Sequence, residues 1–157
     1  MLLKYLMVFG ISMVPLIELR GAIPVALGMG VPPLPAVLVC ILGNMLPVPV
    51  IYFFARKFLL WGAERRYIGK MCTFFVEKGE RAGQKLAAKA GRGGLFVALM
   101  VFVGIPLPGT GAWTGALGAS FLNMGFKATT GAVCLGVVLA GCIMAVVSSL
   151  GLHLFGL

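Results

Sequence analysis

Two uncharged stretches, residues 21–55 and 93–126, constrain this chain more than any other feature; they run 35 and 34 residues. A helix rises about 1.5 Å per residue, so about 20 apolar residues cross the ~30 Å hydrocarbon layer of a bilayer. Each stretch is too long for one crossing and cramped for two with a loop. A third uncharged stretch, residues 128–157, is 30 residues long and fits one ordinary span. Water is a poor solvent for such a chain. Of its 157 residues 61% are hydrophobic and 11% charged, against about 45–50% and about 25% in soluble domains.

Proline explains the awkward lengths. All 9 prolines (Pro15, Pro24, Pro32, Pro33, Pro35, Pro47, Pro49, Pro106 and Pro108) lie in hydrophobic regions. Each removes a backbone donor and breaks or kinks a helix. Pro24 follows Gly21, and Pro106 and Pro108 precede Gly109 and Gly111. Non-helical backbone inside a membrane is tolerated only where protein buries it or water reaches it. The pattern predicts two re-entrant hairpins, each a pair of half-helices meeting at a Pro/Gly tip. The first covers residues 3–31 with its tip at 18–24, and the second covers 94–123 with its tip at 104–111. Full spans follow at 34–58 and 127–154.

Hairpin then span, twice, is a repeat. Glu-Leu-Arg-Gly at 18–21 lies over Pro-Leu-Pro-Gly at 106–109, Ala-Leu-Gly recurs at 26–28 and 116–118, and Cys40 and Cys134 fall at similar places. Each half crosses once, so the halves have opposite orientations. Transporters build sites from broken helices at the interface of such inverted repeats. The expected fold is an all-α integral membrane protein with one membrane domain. Its first repeat is 1–58, its linker 59–92 and its second repeat 93–157.

The formal net charge of +9 is concentrated in that linker and the two residues Arg56 and Lys57 just before it: residues 56–92 hold ten basic and three acidic residues of the 17 charged ones. Clustered Lys and Arg beside apolar spans mark a cytoplasmic loop of a plasma (inner) membrane protein, attracted to anionic lipid rather than to nucleic acid. Lys127 agrees with this orientation and Lys4 mildly violates it. Within the linker, residues 71–90 read as an amphipathic helix. Lys78, Arg81, Lys85, Lys89 and Arg92 share one face, and Phe75, Ala82 and Leu86 another. Such a helix either stands in water or rests on anionic headgroups. A cleaved signal peptide is disfavoured, because Glu18 and Arg20 follow the first apolar run and no Ala-x-Ala site appears. Cys40, Cys72, Cys134 and Cys142 lack metal-ligand spacing and read as small buried hydrophobes.

Outside the linker only Lys4, Glu18, Arg20 and Lys127 are charged. Lys4 and Lys127 suit membrane edges. Glu18 and Arg20 lie at the first tip, where a charge costs at least ~2.5 kcal/mol on insertion scales and normally faces a cavity or a partner. They either anchor the hairpin or form a substrate site. In the second case Arg20 holds an anionic group by forked hydrogen bonds, and Glu18 orients Arg20 or carries a coupling proton. Half-helix N-termini at 21–26 and 109–113 add positive dipole ends. The second tip is uncharged. Thr110 and Thr114 offer hydroxyls to a ligand or to freed carbonyls, and Trp113 either stacks on a ligand or anchors at the interface. Gly111, Ala112, Gly115, Ala116 and Ser120 form a small-residue face suited to close helix packing. Asn44 either glues helices or binds substrate. His153, near the C-terminus, is assigned no role. Without a phosphate loop, a metal-ligand cluster or a nucleophile–His–acid set, no enzyme and no cofactor are expected.

At the two tips the chain resembles a known family. Glu-Leu-Arg-Gly-Ala-Ile-Pro at 18–24 and Ile-Pro-Leu-Pro-Gly-Thr-Gly-Ala-Trp-Thr-Gly-Ala at 105–116 look like the paired motifs of the small multi-drug export proteins. That family is distantly similar to the DedA membrane proteins, which carry a Glu near Gly-x-x-x-Pro in one hairpin and an Arg with Pro and Gly in the other. Here the second tip has no Arg, so that residue is not carried over. The resemblance implies a transporter with two re-entrant hairpins that moves an amphipathic substrate and is proton-coupled. By way of DedA it implies, alternatively, a flippase or scramblase of a phosphate-bearing carrier lipid. The candidate site is Glu18, Arg20, Gly21, Pro24, Asn44, Pro106, Pro108, Gly109, Thr110, Gly111, Trp113 and Thr114. A non-transporting scaffold is the reading from another class. So thin a bundle leaves hairpin flanks open, which predicts a homodimer or higher oligomer.

Overall fold

The computed structural model describes residues 1–64, 69–88, 94–107 and 109–154. Pro108, Lys89 and Arg92 lie outside the described residues, as do the side chains of Phe75, Ala82, Lys85, Leu86 and His153. Among the described residues every regular element is helical. The helices are α1 (Leu2–Met13), α2 (Glu18–Gly28), α3 (Pro33–Met45), α4 (Val48–Val50), α5 (Arg56–Ala63), α6 (Gly69–Ala88), α7 (Gly94–Gly104), α8 (Ala112–Phe121) and α9 (Phe126–Leu154), with a π-helical turn at Ile51–Ala55 between α4 and α5.

The first helix break lies earlier than the expected tip at 18–24. Pro15 clashes with a helical residue before it, and Val14 is extended at φ −71° and ψ 127°. The chain turns there and α2 begins at Glu18, not at Gly21. Pro24 sits inside α2 and does not break it; it removes one helical donor from a helix held by packing on both sides. Lys4 Nζ donates to the Met29 carbonyl at 2.6 Å, joining the start of α1 to the end of α2. The second break falls where expected, between Gly104 at the end of α7 and Ala112 at the start of α8.

The two halves end their second helices in the same way. At the end of α2, Gly30 has φ +76°, and the Gly30 and Val31 amides donate to Leu27 and Ala26 at 2.9 and 3.0 Å. At the end of α8, Asn123 has φ +52°, and the Asn123 and Met124 amides donate to Ser120 and Ala119 at 3.2 and 3.0 Å. Both are Schellman caps, with the left-handed residue in the position that Gly or Asn tolerates best. Counted back from these two caps, Glu18 lines up with Gly111, the residue before α8, rather than with Pro106.

Two apolar segments are long enough to cross a membrane: Pro33–Phe54 with 22 residues and Phe126–Gly151 with 26. Only 33% and 28% of their most apolar windows are buried within the chain, so most of each faces outward. A helix at the core of a soluble protein would be mostly covered; these suit a lipid solvent. The first span is not one straight helix. Pro47 and Pro49 end α3 at Met45, and the chain resumes through α4 and the π-helical turn. Ser120 Oγ donates to the Tyr52 carbonyl in that turn at 2.9 Å, and the Tyr52 hydroxyl donates to the Met124 carbonyl.

The inner faces share one core, which includes Val8, Leu19, Ile23, Leu99, Val103, Val133 and Val137. Gly115 lets α8 approach α7: a Cβ there would stand 2.7 Å from Val103 Cγ2. The linker helix α6 is docked on α8 instead of standing free. A Cβ at Gly79 would lie 2.7 Å from Phe121 Cε2, and one at Gly83 would lie 3.3 Å from the Gly118 carbonyl. Cys40 and Cys72 are buried, but Cys142 is exposed on α9.

Candidate functional site

Glu18 and Arg20 make no ion pair with each other among the described residues. Both side chains cross to the second helix break. Glu18 has φ +50°, a backbone state uncommon for a residue with a Cβ, and its side chain is nearly enclosed. Its Oε1 accepts a hydrogen bond from the Trp113 backbone N–H at 3.2 Å. Trp113 is the second residue of α8, whose N-cap, Gly111, has no side chain to cap it. A helix N-terminus has free N–H groups and a partial positive charge. Glu18 supplies from the first hairpin the carboxylate cap that the second lacks.

Arg20 takes the opposite end of the gap. Its Nη1 donates to the Leu107 carbonyl, and its Nη2 donates to the Ile105 carbonyl at 3.3 Å and to Thr110 Oγ1 at 2.9 Å. The Thr110 hydroxyl in turn reaches the Ile105 and Leu107 carbonyls at 2.8 and 2.9 Å. These carbonyls follow the C-terminus of α7, where orphan acceptors and partial negative charge collect. Each end of the second break is thus met by the opposite charge from the first.

Gly111 makes the carboxylate contact possible. Its φ is +156°, and a Cβ would stand 2.7 Å from Glu18 Oε1. Gly109, at φ +82°, supplies the left-handed turn within the same loop.

A cleft of about 270 Å³ opens beside these contacts, lined by Leu16, Glu18, Arg20, Pro106, Leu107, Gly109, Thr110 and Thr114. A second, almost wholly apolar groove of about 430 Å³ is lined by Pro47, Val50, Ile51, Phe54, Lys57, Phe58 and Trp113. Trp113 belongs to both places: its backbone holds Glu18 and its ring lines the groove. The structure therefore gathers Glu18, Arg20, Pro106, Gly109, Thr110, Gly111, Trp113 and Thr114 at one location. Gly21, Pro24 and Asn44 are not among the described residues lining the cleft. Gly21 packs against Ile17. Asn44 is fully buried, and neither amide atom has a hydrogen-bond partner among the described residues. A polar link between helices is made instead by Ser120, which the sequence reading placed only on a small-residue packing face, and by Tyr52, which it did not single out. Lys78, named in the sequence only on the basic face of the linker helix, was not placed at the site; it is half-buried on α6, and its Nζ lies 3.9 Å from where a Gly109 Cβ would stand. The spacing of the basic residues was its only signal.

A family model described as "Putative small multi-drug export protein" matches residues 18–143, well over half of the chain. No curated protein and no solved structure matches it.

Proposed function

Because the chain belongs to the small multi-drug export family, we propose that it is a membrane transporter moving an amphipathic substrate through the cleft between its two helix breaks. The observation that carries this reading is the crossed pair of contacts, Glu18 to Trp113 and Arg20 to Ile105, Leu107 and Thr110. The charges that hold the hairpins together also line the cleft. A substrate group that competes for them loosens the hairpins, which couples occupancy to a change of shape. Glu18 carries the coupling proton: protonation removes the charge that α8 attracts and weakens the bond to Trp113. The apolar groove beside Trp113 takes the hydrocarbon part of the substrate.

The hairpins are re-entrant in this reading. Their first arms, α1 and α7, have 12 and 11 residues; at about 1.5 Å per residue they fall well short of ~30 Å. The shared order of elements and the shared caps support an inverted repeat, with the basic linker on the cytoplasmic face of the plasma membrane. A second copy of the chain covers the exposed hairpin flanks. The apolar groove lined by Trp113, whose backbone amide holds Glu18, also favours a second reading, a DedA-like flippase for a phosphate-bearing carrier lipid.

Reconstitution in liposomes tests both readings. Wild type, Arg20→Ala and Glu18→Gln are assayed with a labelled polyprenyl phosphate and with a cationic dye, with and without a proton gradient. Gradient-driven movement lost in both variants supports proton-coupled transport. Gradient-independent movement of the polyprenyl phosphate alone, lost with Arg20→Ala, supports the flippase. No movement of either compound by wild type refutes both and leaves a scaffold.

A further inference from the structure

We infer that Lys78 of the linker helix is a specificity-determining residue of the cleft, and that the substrate it selects is an amphiphile with an anionic headgroup. This rests on the transport reading above.

The argument starts from how α6 is seated. Gly79 and Gly83 have no side chain where α8 passes, so the two helices approach closely. Lys78, next to Gly79, is carried in with them. It is half-buried, whereas Glu77, Glu80 and Arg81 on the same helix are exposed. Arg81 already holds Glu77 at 3.4 Å. The Lys78 Cε and Nζ both lie 3.9 Å from where a Gly109 Cβ would stand, and Gly109 lines the cleft. An alkyl stem lying on apolar protein with its ammonium at a polar opening is the usual way a Lys is accommodated.

Glu18 and Arg20 line the cleft and Lys78 stands beside its Gly109 wall, so the charges acting there can be counted. The cations acting on the Glu18 carboxylate are Arg20 and Lys78. Glu18 is bonded to the start of α8 and Arg20 to carbonyls after α7. Their charges oppose each other. Lys78 forms no hydrogen bond or ion pair with any described residue, so its charge is left over. A cationic headgroup entering the cleft meets a net positive field, and an anionic one finds a donor-rich ammonium without a partner. The roughly tenfold preference expected below corresponds to about 1.4 kcal/mol.

Two amphiphiles with the same chain and the same label, one an alkyl phosphate and the other an alkyl trimethylammonium, are compared in proteoliposomes. Wild type should move the phosphate faster. Lys78→Arg should keep that ratio, Lys78→Gln should lower it about tenfold, and Lys78→Glu should invert it. Arg81→Gln, which removes an exposed charge from the same helix, should leave it unchanged. An unchanged ratio in Lys78→Gln, or an equal fall in Arg81→Gln, overturns the role of Lys78 while transport stands. If Lys78→Glu does not assemble, the Gln and Arg variants decide. Inorganic phosphate at equal concentration should not compete; competition would overturn the amphiphile in favour of a free anion. If wild type moves neither amphiphile, the transport reading fails. Equilibrium binding of the two amphiphiles to the detergent-purified variants then decides the role of Lys78 by the same ratio.

Discussion

Replacing Gly111 by Ala adds one methyl group and removes no polar atom, yet it should separate the two hairpins. The added Cβ would sit 2.7 Å from Glu18 Oε1, and the site has φ +156°. The carboxylate cannot stay and keep its bond to the Trp113 amide. Losing a hydrogen bond to a charged group costs about 1.5–3 kcal/mol. Holding a residue with a Cβ in that backbone state costs about 1–3 kcal/mol more. The sum is about 2.5–6 kcal/mol, which for a chain of this size lowers Tm by at least about 5 °C. Thermal unfolding in detergent measures it, with Gly10→Ala as the control. Gly10 lies inside α1 and a Cβ there meets nothing within 4 Å, so Ala should be neutral or slightly stabilising. The decisive comparison is a double-mutant cycle with Glu18→Ala. Without the carboxylate, Gly111→Ala should cost only the backbone strain, and its Tm shift should shrink by about 3 °C or more. A Gly111→Ala protein that melts with the control, or a shift that persists unchanged beside Glu18→Ala, would refute the reasoning.

Three further outcomes are expected. Thr110→Val removes the hydroxyl that accepts from Arg20 and caps two carbonyls; it should destabilise by about 1–3 kcal/mol, while Thr110→Ser, measured in the same melts, should keep most of that. Gly79→Leu drives a side chain into Phe121 and Leu117 and should undock α6, read as increased labelling of a cysteine at Cys72, which is buried in the wild type. Ser120→Ala leaves the Tyr52 carbonyl without its 2.9 Å donor and should cost about 1 kcal/mol in thermal unfolding, with little effect on initial transport rates.

The parts of the structure that depend on local covalent chemistry were legible in the chain. Proline removes a donor and restricts its predecessor wherever it stands, so the second break could be placed from residue order, and the spacing of charged residues placed the amphipathic linker helix; the span read as continuous over 34–58 is instead interrupted after Met45. Apolar length indicated the two spans, because a bilayer has a fixed thickness. The limits of local reading show at Pro15 and Pro24. Both are prolines in apolar sequence, yet only Pro15 turns the chain; α2 is packed on both sides and tolerates the other. The site shows the limit more sharply. Sequence placed Glu18 and Arg20 together and left the second tip without charge, an asymmetry with no evident purpose. Tertiary structure accounts for it. The second tip offers a helix N-terminus without a side-chain cap and a cluster of carbonyls past the end of α7, and the first tip delivers one opposite charge to each. Residue order determined where the second break falls; only the fold, by bringing residues 18–20 against 105–113 and seating Lys78 beside Gly109, decided which group would meet which.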